Sequence, residues 1–102
     1  MSGVLRQIDQ AQRIVEMAQA HLRSLLLLAA VERDGEACRY CRVPTIVDPE
    51  PSQRFLERTL DHIVPLSKGG KDELSNVCVC CRSCNARKGA RPVQAYSVRV
   101  QP

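Results

Sequence analysis

The sequence contains very few aromatic residues. It has no tryptophan, one phenylalanine and two tyrosines, so aromatic side chains make up 3% of its 102 residues. A chain of this length forms one small domain, and few large side chains leave such a domain with a weak core. Metal binding or oligomerisation is the usual compensation. The lack of an ordered aromatic series also argues against a reader of single strands or RNA loops.

The sequence also lacks a recognisable signal peptide and a long apolar run. The run from Leu25 to Val31 spans seven residues, whereas a helix that crosses a bilayer needs about 20 apolar residues. We therefore expect no membrane partner and a cytoplasmic, intracellular location. In a reducing compartment, the six cysteines are expected to bind metal or pack as thiols instead of forming disulfides.

The net charge of +4 is unevenly distributed. Residues 1–59 carry eight Lys/Arg and eight Asp/Glu, whereas residues 60–102 carry seven basic and three acidic residues. The excess of positive charge therefore lies entirely in the second half. This asymmetry is a modest indication of a nucleic-acid partner.

Residues 4–33 predict one long helix that ends at Asp34-Gly35. Its apolar residues alternate spacings of three and four over about three heptads; they are Ile8, Ala11, Val15, Ala18, Leu22, Leu25 and Ala29. Such a stripe either packs on the domain or pairs with a second helix. Packing is favoured, because alanine at several stripe positions makes a weak zipper.

Two Cys-x-x-Cys pairs, Cys38/Cys41 and Cys81/Cys84, predict a structural zinc site. Each such turn places two thiolates along one edge of a tetrahedron with Zn–S distances near about 2.3 Å. Two turns close the site and leave no open position for water. Cys78 and Cys80 are assigned to packing, since a buried cysteine behaves as a small hydrophobe; a shifted register with Cys80 as a ligand remains an alternative.

The second half predicts two strands and a helix. Residues 55–64 should contain the first strand, residues 77–80 the second, and residues 82–88 a short helix that stops at Gly89. Residues 67–73 read as a polar turn. Further upstream, residues 43–47 suggest a short strand and residues 48–52 a loop, because two prolines interrupt regular structure there.

The ordered motifs of this half resemble the HNH endonuclease family, in the subgroup with two Cys-x-x-Cys pairs. The matching features are Asp61-His62, the turn from Pro65 to Gly70, Asn76, Cys81-x-x-Cys84-Asn85 and Lys88-Gly89. The resemblance implies an α+β fold: a small ββα-metal core stapled by a four-cysteine zinc site and preceded by a long N-terminal helix. We divide the chain into the helix (1–35), the nuclease domain (36–92) and a C-terminal tail (93–102).

The resemblance also implies roles for four residues. Asp61 is expected to bind a catalytic divalent ion, His62 to act as the general base, and Asn76 to orient the imidazole. Asn85 is expected to be the second ligand, and its oxygen favours Mg²⁺ or Mn²⁺. The implied activity is that of a metal-dependent DNA endonuclease that leaves 5′-phosphate and 3′-hydroxyl ends. The resemblance also suggests that the protein is encoded by a phage or a mobile element.

Six basic residues of this half are candidates for phosphate contacts, and Lys88 matches a basic residue of the family. They are Lys68, Lys71, Arg82, Arg87, Lys88 and Arg91.

Two other interpretations of the function remain open. The chain could be a zinc-knuckle module that binds DNA without cutting it. It could also be an accessory subunit whose N-terminal helix docks on a larger nuclease or packaging partner, or on a second copy as a homodimer.

Overall fold

The structure of the chain is a computed structural model that describes residues 3–89. It contains a long helix α1 (Gly3–Asp34), two strands β1 (Arg58–His62) and β2 (Val77–Cys81), and a short helix α2 (Arg82–Lys88). The predicted α+β class is confirmed, as are the long helix, the two-stranded sheet and the helix that follows. The predicted tail (93–102) and Arg91 lie outside the described residues, and the domain boundaries stay a prediction.

The two strands form an antiparallel sheet with His62 opposite Val77 and Arg58 opposite Cys81. All five residues of β2 are buried, whereas β1 is mostly half-buried. Only Asp61 of β1 is fully buried, and it lies opposite Cys78. Asp61 and His62 are neighbours at the end of β1, where the strand passes into the loop that follows.

The C-terminal third of α1 packs on the sheet. Leu26 and Ala30 are buried there, and the Arg33 guanidinium donates hydrogen bonds to the carbonyl oxygens of Leu74 (2.7 Å) and Val77 (2.8 Å). The helix ends where predicted, because Gly35 has a φ of +87° that favours glycine. The last third of the helix thus packs on the rest of the chain.

The remainder of α1 carries an apolar stripe that nothing in the described chain covers. Residues 3–22 are all exposed, including Ile8, Val15 and Leu22, whose side chains are 50%, 54% and 41% exposed. The heptad pattern lies on this projecting part. Packing against the chain's own domain therefore does not account for the first half of the stripe.

By length and composition alone, α1 is long and apolar enough to cross a membrane. Little of its most apolar stretch is buried against the rest of the described chain. The expectation of no membrane partner rests on the run from Leu25 to Val31 alone, whereas this helix is 32 residues long. One such helix is weak evidence, since core helices and signal sequences meet the same criterion. The absence of a membrane partner therefore stays a prediction.

The segment between α1 and β1 is irregular. It makes two isolated bridges, Ala37 with Pro44 and Ile46 with Glu57, so the short strand predicted at 43–47 is reduced to single paired residues. The predicted loop at 48–52 runs into a 3-10 helix, Pro51–Leu56. Proline suits the first turn of a helix, where its missing N–H costs nothing.

The core consists mainly of cysteines. Its buried cluster comprises Tyr40 and five thiols: Cys38, Cys78, Cys80, Cys81 and Cys84. Val77 and Val79 are also fully buried, and no buried phenylalanine, leucine or isoleucine belongs to that cluster within residues 3–89. A core of this size needs reinforcement, as the scarcity of aromatic residues predicted.

The loop after β1 is shaped by two glycines. Gly69 has a φ of +88°, and a Cβ at Gly70 would lie 1.7 Å from the carbonyl oxygen of Val64. The carbonyl oxygen of Pro65 accepts hydrogen bonds from the backbone of Lys68 (2.9 Å) and Gly70 (3.0 Å). The loop thus folds back on itself directly after His62, which a side chain at position 70 would prevent.

Candidate active site

A pocket of about 210 Å³ opens between the end of β1, the loop that follows it and α2. Three of the four residues predicted for catalysis line it, namely Asp61, His62 and Asn85. Lys88 and Gly89 lie on the same wall as Asn85. Residues that are far apart in the chain are therefore brought together in one pocket.

Asp61 lies at the buried end of the pocket, where its carboxylate is 4% exposed. The Tyr40 hydroxyl donates a hydrogen bond to its Oδ2, and the Lys88 ammonium lies 3.1 Å from its Oδ1. Burial, followed by the hydrogen bond to Asp61, raises the pKa of Tyr40 above its ordinary value of 10. Tyr40 therefore remains a hydrogen-bond donor to the carboxylate.

His62 faces a carboxylate that the sequence did not predict as part of the site. Its Nε2 lies 2.6 Å from Oδ1 of Asp72. Asp72 in turn accepts two hydrogen bonds from Arg23 of α1, at 3.2 Å from Nε and 3.1 Å from Nη2. Asp72 looked like one acid of a polar turn, and Arg23 is 49 positions away, so no local pattern could have identified the pair.

The prediction for Asn76 requires a correction. Its side chain does not bond the imidazole of His62; instead Oδ1 accepts from the Val64 backbone (2.9 Å) and Nδ2 donates to the carbonyl oxygens of Val64 (3.1 Å) and Lys71 (2.9 Å). The residue therefore fixes the loop that leads away from His62. An amide that satisfies three backbone groups has no donor left for the ring.

Asn85 uses its amide nitrogen to bind β1. Nδ2 donates to Thr59 Oγ1 (3.0 Å) and to the carbonyl oxygen of Leu60 (3.3 Å). Its amide oxygen is consequently the atom that remains for a cation in the pocket. A carboxylate oxygen and an amide oxygen are donors that Mg²⁺ and Mn²⁺ accept, so the chemistry of Asp61 and Asn85 suits the predicted ion.

The four predicted zinc ligands meet in one cluster. The sulfur atoms of Cys38, Cys41, Cys81 and Cys84 all lie within 4.8 Å of one another. The Cys41 and Cys81 sulfurs are 3.8 Å apart, which is the edge of a tetrahedron with Zn–S bonds of about 2.3 Å. Cys80 is outside this set, so the predicted register holds and the shifted one is wrong.

Two N–H groups and one thiol donate hydrogen bonds to sulfur atoms of the cluster. Such hydrogen bonds favour the negatively charged thiolate form that binds zinc. The Cys84 backbone donates to Cys81 Sγ and Arg87 donates to Cys84 Sγ, both at 3.4 Å. A hydrogen bond from Cys80 lowers the pKa of Cys38 below its ordinary value of 9.0. Burial raises the pKa of Cys41 and Cys81, so zinc binding would release their protons.

The candidate DNA-contacting residues differ in their exposure to solvent and in their ion-pair partners. Lys68 and Lys71 are exposed on the loop after β1, whereas Arg82 pairs with Glu57 at 3.0 Å. Lys88 is 1% exposed, and its ammonium contacts Asp61 and the carbonyl oxygen of His62 (3.3 Å). Lys88 therefore lies in the wall of the pocket, and its role as a phosphate contact stays a prediction.

Comparison with known proteins agrees with this geometry. A family model described as HNH endonuclease matches residues 38–99, a range that contains all four zinc-ligand candidates and every residue of the pocket. No curated protein matches the chain. The matched range begins after α1, so the family pattern accounts for the site but not for the projecting helix.

Proposed function

Because the chain belongs to the HNH endonuclease family, we propose that it is a metal-dependent DNA endonuclease. The observation that carries this proposal is the convergence of Asp61, His62 and Asn85 on one pocket. Binding DNA without cutting it requires none of these three residues. The excess positive charge of residues 60–102 supports a polyanionic substrate.

In the proposed reaction, His62 acts as the general base. The neutral form of an imidazole has a lone pair on one ring nitrogen, which can take a proton from water. Asp61 and Asn85 would hold one divalent ion, Mg²⁺ or Mn²⁺. When bound, that ion supplies positive charge at the scissile phosphate and the leaving oxygen. Cleavage would leave 5′-phosphate and 3′-hydroxyl ends, as the family resemblance implies.

Lys88 and Tyr40 would set the charge around Asp61 in this reaction. The ammonium of Lys88 neutralises the buried carboxylate at 3.1 Å, and the Tyr40 hydroxyl bonds its other oxygen. Oδ2 also accepts from the Cys78 thiol (3.7 Å), so the second lone pair of Oδ1 is the one that remains for a cation. The exposed Lys68 and Lys71 are the best candidates to contact the DNA backbone outside the pocket.

The uncovered stripe of α1 supports a homodimer through a second copy of the same helix. A repeat with a period of 3.5 suits pairing with another helix in a left-handed supercoil. The charged residues of 3–22 all lie on the opposite side of the helix; they are Arg6, Asp9, Arg13 and Glu16. Two identical stripes therefore meet without charge repulsion, and a dimer would supply one site for each DNA strand.

Nicking of a supercoiled plasmid tests the proposed activity. The zinc-loaded protein should relax the plasmid with Mg²⁺ or Mn²⁺ and lose this activity in EDTA. Substitution of the general base, His62→Ala, should reduce the rate by about 10²- to 10⁴-fold. The other histidine provides a matched control: His21 is exposed on α1, and His21→Ala should keep full activity.

Three results would contradict parts of the proposal. A folded, zinc-loaded protein that binds the plasmid but cuts it with neither metal would be a DNA-binding module. Cleavage that appears only after a second protein is added would identify an accessory subunit. Equal rates for His62→Ala and the intact chain would exclude His62 as the base.

A further inference from the structure

The carboxylate of Asp72 is the direct partner of the imidazole that we assign as the general base. Its Oδ1 lies 2.6 Å from Nε2 of His62, a short distance for a charge-assisted hydrogen bond. Both side chains are largely shielded from water, with exposed fractions of 14% for His62 and 18% for Asp72. The contact is therefore sheltered, unlike a typical surface ion pair.

Asp72 is itself held from two directions. The Arg23 guanidinium binds both of its carboxylate oxygens, Oδ1 at 3.2 Å and Oδ2 at 3.1 Å, and this bidentate geometry fixes the plane of the carboxylate. The backbone next to Asp72 is fixed as well, because Asn76 Nδ2 donates to the carbonyl oxygen of Lys71 at 2.9 Å. Asn76 thus affects the imidazole indirectly, by fixing the loop that carries Asp72.

A carboxylate at this position determines which ring nitrogen carries the proton. Arg23, and then His62, lowers the pKa of Asp72 below its ordinary value of 3.8, so at neutral pH this residue only accepts hydrogen bonds. The proton of the neutral ring must then be on Nε2. Nδ1 keeps its lone pair, which is the form that a base needs to take a proton from water.

We propose that Asp72 positions His62 for catalysis and that Arg23, on α1, holds Asp72 in place. This inference rests on the proposed nuclease function. It makes the projecting helix part of the catalytic apparatus, although α1 precedes the range that the family model matches. Asp72 is a positioning residue and contacts neither the DNA nor the metal in this assignment.

The kinetic test uses an isosteric substitution. Asp72→Asn keeps the size of the side chain, but it removes the charge and allows an N–H to face Nε2, which stabilises the wrong tautomer. By analogy with the acid of a serine-protease triad, the nicking rate at saturating DNA should fall by about 10²- to 10⁴-fold with little change in KM. Arg23→Gln should reduce the same rate by about tenfold.

Glu73 provides the matched control, since it is the neighbouring carboxylate and is exposed. Glu73→Gln should keep the rate of the intact protein. A merely structural role for Asp72 would lower the thermal stability of the Asn variant and leave the rate of the folded fraction unchanged. That result, or equal rates for Asp72→Asn and Glu73→Gln, would overturn the proposal.

A spectroscopic measurement tests the contact without relying on DNA cleavage. The chain has only two histidines, so His21→Gln assigns their ring signals in the proton NMR spectrum. The intact protein should show a downfield ring N–H proton from His62 that exchanges slowly with water. This signal should disappear in Asp72→Ala and persist in Glu73→Gln.

Absence of the downfield signal from the folded intact protein would overturn the inference, as would its persistence in Asp72→Ala. The NMR measurement also distinguishes a failure of the proposed nuclease function from a failure of the proposed Asp72–His62 contact. If the signal behaves as expected but no plasmid is nicked, the proposed function fails and the Asp72–His62 contact stands. If the plasmid is nicked and the signal is absent, only the inference fails.

Discussion

The buried ion pair of Lys88 and Asp61 is the most consequential single contact in the pocket. The two side chains are 1% and 4% exposed, so each charge depends on the other for compensation. Removing one partner of a buried pair leaves the remaining charge without water or a counterion and is strongly destabilising. A divalent ion at Asp61 would take over part of the role of Lys88.

Lys88→Met tests whether a divalent ion at Asp61 can replace the ammonium of Lys88. Without a divalent ion, the free energy of unfolding of the zinc-loaded protein should fall by about 3–5 kcal/mol, because Asp61 is left buried and unpaired. Addition of Mn²⁺ should stabilise the variant more than the intact protein, since the cation replaces the lost ammonium. Urea denaturation with and without Mn²⁺ measures both effects.

Lys68→Met is the control for this prediction, because Lys68 is exposed on the loop after β1. Its unfolding free energy should change by less than about 0.5 kcal/mol. An equal Mn²⁺ effect on Lys88→Met and the intact chain would show that the metal does not interact with Asp61.

At the scale of single residues, the sequence revealed the types and spacings of the site residues, but it did not reveal which of their side chains are buried. The paired cysteines were recognisable, because two positions separated by two residues meet in one local turn. Lys88 was predicted as a phosphate contact from the family resemblance, and no pattern in the sequence indicated that it is buried. Its burial depends on a carboxylate from β1, which is a tertiary contact without a local signal.

At the scale of elements, α1 serves two different surfaces. Its last third packs on the sheet through Leu26 and Ala30, and its first two thirds project with an apolar stripe. Val15 belongs to this stripe, whereas Met17 lies about half a turn away on the other side. The two residues are therefore a matched pair for testing what covers the stripe.

Sedimentation equilibrium tests the proposed helix pairing. The intact chain has a mass of 11.4 kDa and should sediment with twice that mass at micromolar concentration. Val15→Lys should shift the equilibrium to the monomer, because it places a charge in the seam. Met17→Lys should remain dimeric, since Met17 is 72% exposed and outside the stripe.

If something other than a second copy of the helix covers the stripe, sedimentation gives a different result. A monomer at every concentration would contradict the dimer. If that monomer also binds phospholipid vesicles through the stripe, so that Val15→Lys abolishes the binding and Met17→Lys does not, then the apolar window of α1 contacts a membrane.

The elements themselves were largely predictable. β1 lies within the predicted range 55–64, β2 extends one residue beyond the predicted 77–80, and α2 ends before Gly89 as predicted, where the φ of Gly89 is +54°. The segment 43–47 was less predictable, because a run of β-formers does not reveal whether a partner strand extends beyond one residue. The link from Arg23 to Asp72 could not be predicted, since it depends on where α1 crosses the sheet.

At the scale of the whole molecule, a zinc ion held by the four-cysteine cluster would compensate for a core that contains mostly small side chains. Two ligands precede β1 and two lie at the junction of β2 and α2. A domain of this size has a net stability of about 5–15 kcal/mol, and structural zinc sites in small peptides contribute about 10 kcal/mol or more. Most of the stability should therefore depend on the metal.

Loss of one zinc ligand should therefore unfold the nuclease domain. Cys84→Ser should purify with less than one zinc per chain and lose the dispersed amide signals of a folded core in the NMR spectrum. Cys78 is the control: it is also buried, at 1% exposure, but lies outside the ligand cluster. Cys78→Ala should retain one zinc per chain and a folded core, and equal zinc contents in both variants would contradict the assignment.

The position of the zinc ligands along the chain has a consequence for synthesis on the ribosome. The first pair, Cys38 and Cys41, leaves the exit tunnel well before the second pair, and the pocket also needs Asn85 and Lys88 from the last described helix. The nascent chain thus exposes α1 while the nuclease pocket is still incomplete. If α1 pairs as proposed, two growing chains translated from one messenger would pair through their helices before the pocket of either chain is complete.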